Sequence, residues 1–396
     1  MKIVAINTVA SDGNAPGGIM SQICKAAMGR GDIVLAVYGR GDAPQDVPNV
    51  RVGNDIDILH HAVKSRLYDS SGRHSIVSTK RLIRLLAEFS PDIVHLHNLH
   101  GYYINYPLLM QWLKQTGVPV VWTLHDCWAY TGHCAYYTYN GCHEWKRGCR
   151  ECLFKNAYPK SILASDAEYN FKLKKDLFTT LPNLTIVPVS EWLAKEVGQS
   201  FLRQIPRVII PNGVDTDKFS PRPTFREKKC SVLGVAAKWD SRKNFEFFLG
   251  LANLLPGIKI TIVGSTTPRQ RKITPKNITI IDRISDRYVL SEIYSSVDIF
   301  INPSMEETFG MTTIEAMACG VPVIVNNSTA MAEIVTAETG FAVNIDSLDE
   351  VQNAIKCIMC KLDAYRLSCR EHAVKNYSME QMTDNYLDVY DRLHSI

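Results

Sequence analysis

The stretch from Asp298 to Val325 leaves few folds open to this chain. An apolar run, Ile299 to Ile301, stops at Pro303. A polar loop follows, then a segment with Ile314, Met317 and Ala318 on one helical face, then Gly320, Pro322 and a second apolar run ending at Val325. Short apolar runs of this kind read as strands of a parallel sheet covered on both faces, and a strand joined to its neighbour through a helix is the unit from which such sheets are built. The chain therefore reads as α/β. A helix that opens straight after a strand leaves its first backbone amides unpaired at the carboxyl edge of the sheet, where they attract phosphates. Two carboxylates frame this helix, Glu307 before it and Glu315 eight residues on, about two turns along and so back toward the same edge. A carboxylate there can hydrogen-bond a ribose diol. The purely structural alternative is a pair of charges answering the helix dipole and solvent.

At 396 residues there is room for two domains of roughly 150 to 200 residues each. No run approaches the roughly 18 apolar residues of a membrane span. Met1 to Thr8 enters a strand directly, with no signal-peptide core, which points to a cytoplasmic location. A net charge of +4 argues against a dedicated nucleic-acid binder. Basicity is concentrated between 60 and 84, where Lys64, Arg66, Arg73, Lys80, Arg81 and Arg84 stand with three His and one acid, Asp69. Such a patch suits anionic lipid headgroups, a diphosphate-bearing acceptor or a merely solvated helix face.

From the N-terminus, Lys2 to Asn7 reads as a strand, followed by a loop carrying Gly17 and Gly18 and a helix from about Ile19 to Arg30. Paired glycines between strand and helix let the backbone approach a ligand. Strands are expected at Ile33 to Tyr38, Asp92 to His97 and Val118 to Leu124, and helices at Lys80 to Phe89 and Lys160 to Thr180. His125 and Asp126 follow an apolar run at a strand's carboxyl end, where open α/β sheets place ligands. His95 and His97, on the strand before it, fit either a core or a site. In the second half a new sheet begins at Ser231 to Ala237, and Lys238, Arg242 and Lys243 follow at its carboxyl end, where cations can neutralise a diphosphate or can simply be solvated. Cys357 and Cys360 read as core.

Cys134, Cys142, Cys149 and Cys152 supply four thiols in a helix-poor stretch, and Cys149-x-x-Cys152 has the spacing of a metal knuckle. A closed structural zinc site is one expectation, with His133 and His143 as spare ligands; reduced thiols or a redox-labile pair are the others. The aromatics Trp128, Tyr130, Tyr136, Tyr137, Tyr139 and Trp145 around them offer flat faces for sugar stacking.

The complete run Pro303-Ser304, Glu307-x-Phe309-Gly310, Glu315-Ala316-Met317-Ala318-x-Gly320-x-Pro322-Val323 resembles the Glu-x7-Glu signature of the retaining GT-B glycosyltransferases, closest to glycosyltransferase family four. The resemblance spans nearly the whole chain and is strongest from 207 to 345. It implies a GT-B fold: two Rossmann-like domains facing across a cleft, the C-terminal helix crossing back to the first. The implied N-terminal acceptor domain covers 1–206, with a Cys-rich insertion at 127–152 and the C-terminal helix 377–396; the nucleotide-sugar domain covers 207–376.

By the same resemblance Glu307 contacts the donor sugar, and the amides of Phe309, Gly310, Met311 and Thr312 hold the diphosphate. Glu315 holds the ribose, the backbone at Arg283 and Ile284 reads the base, and His125 hydrogen-bonds the transferred sugar. Gly17 and Gly18 lie beside the diphosphate and the acceptor. Lys243 matches the family's lysine, whereas Lys238 stands where arginine is usual, which departs from bidentate phosphate contact.

The expectation is thus a retaining glycosyltransferase that carries a sugar from a UDP- or GDP-sugar to a glycan or lipid-linked oligosaccharide in cell-surface polysaccharide synthesis. It would be metal-independent, since no Asp-x-Asp motif stands at a strand end, and cytoplasmic or peripheral at the inner membrane face. The rivals are a GT-B-like nucleotide-sugar epimerase and a non-catalytic scaffold of a polysaccharide assembly complex.

Overall fold

A computed structural model describes residues 1–11, 15–163, 165–223 and 229–395. These form two compact units, one of Met1–Pro211 with Met382–Ile396 and one of Asn212–Gln381. The divisions therefore fall after 211 and 381, against 206 and 376 read from the sequence.

The first unit carries six strands among the described residues: β1 (Lys2–Asn7), β2 (Ile33–Tyr38), β3 (Asn49–Arg51), β4 (Ile93–Leu96), β5 (Val120–Leu124) and β6 (Leu184–Pro188). Their order is β3-β2-β1-β4-β5-β6, all parallel. The crossover helices are α1 (Ala15–Gly29), α2 (Asp55–Tyr68), α3 (Ile76–Phe89), α4 (Tyr106–Thr116) and α5 (Ala167–Phe178), and α6 (Glu191–Gln199) follows the last strand. The strands are near-continuous apolar runs because both faces are covered: Val4, Ile6, Val94, Leu96 and Val121 are all fully buried. Each such side chain contributes about 1.5–3 kcal/mol on leaving water.

The second unit repeats the plan with β7 (Ser231–Lys238), β8 (Lys259–Ser265), β9 (Ile278–Ile281), β10 (Ile299–Asn302), β11 (Val323–Asn326) and β12 (Gly340–Val343), in the order β12-β11-β10-β7-β8-β9. Its helices are α7 (Phe245–Leu254), α8 (Pro268–Lys272), α9 (Arg287–Ser295), α10 (Met311–Ala318), α11 (Met331–Ile334), α12 (Leu348–Cys360) and α13 (Leu362–Tyr377). The last helix, α14 (Met379–His394), begins in the second unit and continues in the first. Tyr386 and Tyr390 on α14 are fully buried there and hydrogen-bond Thr123 Oγ1 at 2.9 Å and His95 Nδ1 at 2.6 Å.

In each sheet the chain runs outward in both directions from one point, between β1 and β4 in the first and between β7 and β10 in the second. Loops leaving the carboxyl ends on either side of such a point diverge and leave a crevice for a ligand.

Several expectations are corrected. Gly17 and Gly18 lie within α1, not in a loop before it, and α5 is shorter than 160–180. Cys357 and Cys360 are exposed on α12, whose buried side is Val351, Ala354, Ile355 and Ile358.

Candidate active site

In the second unit the crevice between β7 and β10 is lined by charge. A bulge between Val235 and Lys238 ends β7, and Gly264 on β8 allows it: at φ +134°, with an added Cβ 1.9 Å from Ala236 O, no other residue fits. Lys238 is left exposed at the strand end. Asp240 then accepts from the amide of Lys243 at 3.2 Å, shaping the turn that carries Arg242 and Lys243.

Across the crevice Asn302 ties down the loop after β10, with Ser304 Oγ donating to its Oδ1 at 2.6 Å and its own amide donating to Thr313 Oγ1 at 3.2 Å. The loop is further fixed to the β7 side where Met305 N–H donates to Arg242 O at 2.8 Å and Arg242 Nη1 to Glu306 O at 2.8 Å. This framework delivers Glu307 into an ion pair with Lys243, with Arg242 Nη1 at 3.7 Å from its other oxygen. Partial burial pushes the Glu307 carboxyl up, but Lys243 and then Arg242 outweigh it, and its pKa lies below the ordinary glutamate value.

Gly310, at φ +109°, opens α10 and supplies no side-chain cap, and the first amides of the helix lie at the crevice's edge. Glu315 behaves oppositely to Glu307. Burial drives its pKa up to about 7, only partly countered by the Arg287 charge and by Tyr294, whose hydroxyl donates to Oε2 at 3.1 Å. Arg283 and Ile284 follow β9, the edge strand, two strands from the crevice.

In the first unit, α1 starts beside the β1–β4 crevice. Gly17 packs on the backbone of Ser11 so closely that an added Cβ would stand 2.7 Å from its carbonyl oxygen. His125, at the end of β5, is buried, and its Nε2 lies 2.9 Å from His97 Nδ1, the two rings stacked 5.2 Å apart. Burial lowers the pKa of His125 to about 4 and of His95 to about 3, and takes His97 well down too, so all three are neutral at pH 7.

One proton then sits between His97 and His125. His97 Nε2 is buried without a partner among the described residues, so the bond to His125 is what holds the two rings in register. Asp126 accepts from His100 Nε2 at 2.7 Å and from Trp128 N–H at 2.9 Å, and so anchors the chain that follows. Tyr294 and Asn302 were not singled out from the sequence as site residues, because their parts depend on pairings with Glu315 and Thr313, 21 and 11 residues away.

The Cys-rich segment departs from expectation in its aromatics, while its cysteines match one of the alternatives read from the sequence, reduced thiols. Cys134, Cys142, Cys149 and Cys152 are free thiols, and among the described residues no three His, Cys, Asp or Glu are gathered as a metal requires. Cys149 Sγ instead accepts from Gly132 N–H at 3.1 Å, and His133 Nδ1 is 2.6 Å from Asp69 Oδ1. Of the aromatics, Tyr130, Tyr137 and Trp145 are buried against one another and Trp128 is buried against His100 and Tyr106, so none of the four offers a face to a sugar; Tyr136 and Tyr139 are half-exposed.

Residues 20–218 match the family Glycosyltransferase Family 4, and residues 229–361 match Glycosyl transferases group 1. The chain is 24% identical over 418 residues to WcaC of Escherichia coli K12, a protein assigned to colanic acid biosynthesis as a glycosyl transferase, covering 99% of this chain and 100% of that one. Among solved structures, sucrose-phosphate synthase of Thermosynechococcus elongatus superposes with a TM-score of 0.71 at 17% identity, covering 100% of this chain and 99% of the other. HepE of Anabaena, solved with UDP and glucose, gives 0.64 at 13% identity, with 99% of each chain covered.

Proposed function

The chain belongs to glycosyltransferase family 4, and from that premise we propose that it transfers a sugar, with retention at the anomeric carbon, from a nucleoside diphosphate sugar to a hydroxyl of a glycan or lipid-linked oligosaccharide in surface polysaccharide assembly. The observation that carries this reading is the Lys243–Glu307 pair, held by loops on both sides of the β7–β10 crevice beside the uncapped start of α10. WcaC and HepE support the acceptor class and the donor class respectively, by likeness of sequence and of fold.

In this reading the donor diphosphate takes Lys243 and Arg242 from Glu307 and accepts hydrogen bonds from the amides of Gly310, Met311 and Thr312. Glu307, released, accepts from hydroxyls of the sugar, while Glu315 binds the ribose. His125 hydrogen-bonds the transferred sugar. The C1–O bond to the diphosphate breaks, the acceptor oxygen bonds C1 from the same face, and the acceptor proton passes to the leaving phosphate. Charge developing on that phosphate is met by Lys243, Arg242, Lys238 and the helix amides, cations and dipoles fixed before the bond breaks. The reaction as proposed runs without a divalent metal, so EDTA should leave its rate unchanged.

Membrane contact belongs to the same reading. Ile56, Leu59 and Val63 repeat at helical spacing on α2 and are 77%, 65% and 48% exposed, with Arg66, Lys80 and Arg81 exposed nearby in sequence. Among the described residues no helix is long and apolar enough to cross a membrane.

The test is to incubate the full chain with nucleoside diphosphate sugars and polyprenyl-diphosphate-linked oligosaccharides and to read the product's anomeric configuration by NMR. Acceptor-dependent transfer with the donor's configuration supports the proposal. Inversion contradicts the mechanism, and turnover without acceptor marks an epimerase.

A further inference from the structure

The Cys-rich segment builds a second concave surface in the first unit. From β5 it runs down to α5 and α6, where Lys146 Nζ donates to Gln199 Oε1 at 2.7 Å and the Tyr137 hydroxyl donates to Glu196. Gly148 at φ +105° and Cys149 at φ +52° then turn it back, and the Gly132 amide holds the Cys149 sulfur. The result is a groove of about 530 Å³ between this segment, the last turn of α5 and the residues after α6. That volume falls within the range of small-molecule sites. Helix carboxyl ends in an α/β unit lie at the amino edge of the sheet, so the groove is remote from His125.

Its lining is one-sided in charge. Lys146, Arg147, Lys175 and Arg203 all border it, and no Asp or Glu does. Arg147, Lys175 and Arg203 are exposed, and among the described residues none of the three is ion-paired. The nearest acids along the chain, Glu144, Asp176 and Glu196, lie outside the lining. In a chain of net charge +4, four cations without a counter-charge in one groove are a concentration that solvation alone does not require. The C-terminal dipoles of α5 and α6 account for Lys175 and Arg203 but not for Arg147, which the inserted segment brings from elsewhere. The floor is half-buried Phe171 and Phe201, edge to face with ring centres 5.0 Å apart.

We propose that this groove binds a carboxylate-bearing oligosaccharide, anchoring an acidic glycan at a distance from the transfer site. Guanidinium and ammonium groups pair with carboxylates, the amides of Gln199 and Gln204 suit hydroxyls, and the phenylalanine floor suits the apolar face of a sugar ring. A bilayer is disfavoured because none of the exposed large hydrophobic side chains lines the groove. The inference takes its purpose from the proposed glycan transfer, but its test reads binding alone.

Tetragalacturonate is the probe, titrated calorimetrically into the full chain, with maltotetraose, inorganic phosphate and phosphatidylglycerol vesicles as comparisons. The wild type binds tetragalacturonate at least ten-fold more tightly than maltotetraose. The double variant Arg147→Ala/Lys175→Ala, at two exposed and unpaired positions, loses at least ten-fold while keeping its melting temperature and its response to nucleotide sugars. Absence of binding, equal binding by the double variant, equal binding of maltotetraose, or displacement by phosphate or vesicles at matched charge each overturns the proposal. A lost nucleotide-sugar response with tetragalacturonate binding intact counts against the donor reading instead.

Discussion

Lys243 meets Glu307 before any ligand arrives, so a diphosphate entering between β7 and β10 competes with a carboxylate for the same ammonium. Removing that ammonium leaves Glu307 with a single, more distant cation, Arg242, and the diphosphate with one fewer. Lys243→Ala should lower kcat/KM by about 10²–10³-fold, the usual cost of one preorganised donor, while the melting temperature moves by only a few degrees; steady-state kinetics with near-wild-type rates would remove the phosphate role. Glu315 makes a different prediction. Its folded pKa of about 7 exceeds the ordinary 4.5, so the native state holds the proton more tightly than the unfolded chain. Stability from this group is present below about 4.5 and falls as pH rises toward 7. Glu315→Gln should therefore gain on the wild type by about 1–3 kcal/mol between pH 4.5 and pH 8, measured by urea unfolding, while binding donor more weakly. A pH-independent difference between the two would show that Glu315 ionises normally.

Packing was the least legible feature at the level of elements. The last helix was expected to return to the first unit, but nothing in its sequence says that Tyr390 reaches a histidine 295 positions away. Tyr390→Phe leaves His95 Nδ1 buried and unpaired, and should cost about 1–3 kcal/mol in thermal or urea unfolding. No loss would mean that the hydroxyl is not the partner. The strands β1 and β2 were readable to the residue because both are uninterrupted apolar runs covered on two faces. By contrast α2 escaped notice: its exposed Ile56, Leu59 and Val63 occupy the outer face, which breaks the usual apolar-in pattern, and only the Asn54–Asp57 capping box marks its start. Gly17 and Gly18 read as a loop because glycine weakens helices, yet in α1 the missing Cβ at Gly17 is what allows contact with Ser11. The buried aromatics of the Cys-rich segment look from sequence like a sugar platform, since exposure of a ring cannot be read from its spacing.

For the molecule as a whole, two parallel sheets of the same order of crossing each set a candidate ligand-binding crevice at the point where the order reverses. Both crevices coincide with residues that the sequence motifs singled out, Lys243 with Glu307 in one unit and the start of α1 in the other. Fold and family were legible because they rest on periodicity and one long motif; the donor base, the sugar and the acceptor rest on a few loop side chains and are open to direct measurement. The decisive one is the melting temperature of the purified full chain against a panel of UDP-, GDP- and ADP-sugars at saturating concentration. One nucleotide sugar should raise it by a few degrees, selectively over the rest, and the shift should vanish in Lys243→Ala. No shift with any of them, or an equal shift in the variant, would contradict a donor site built on Lys243 and Glu307.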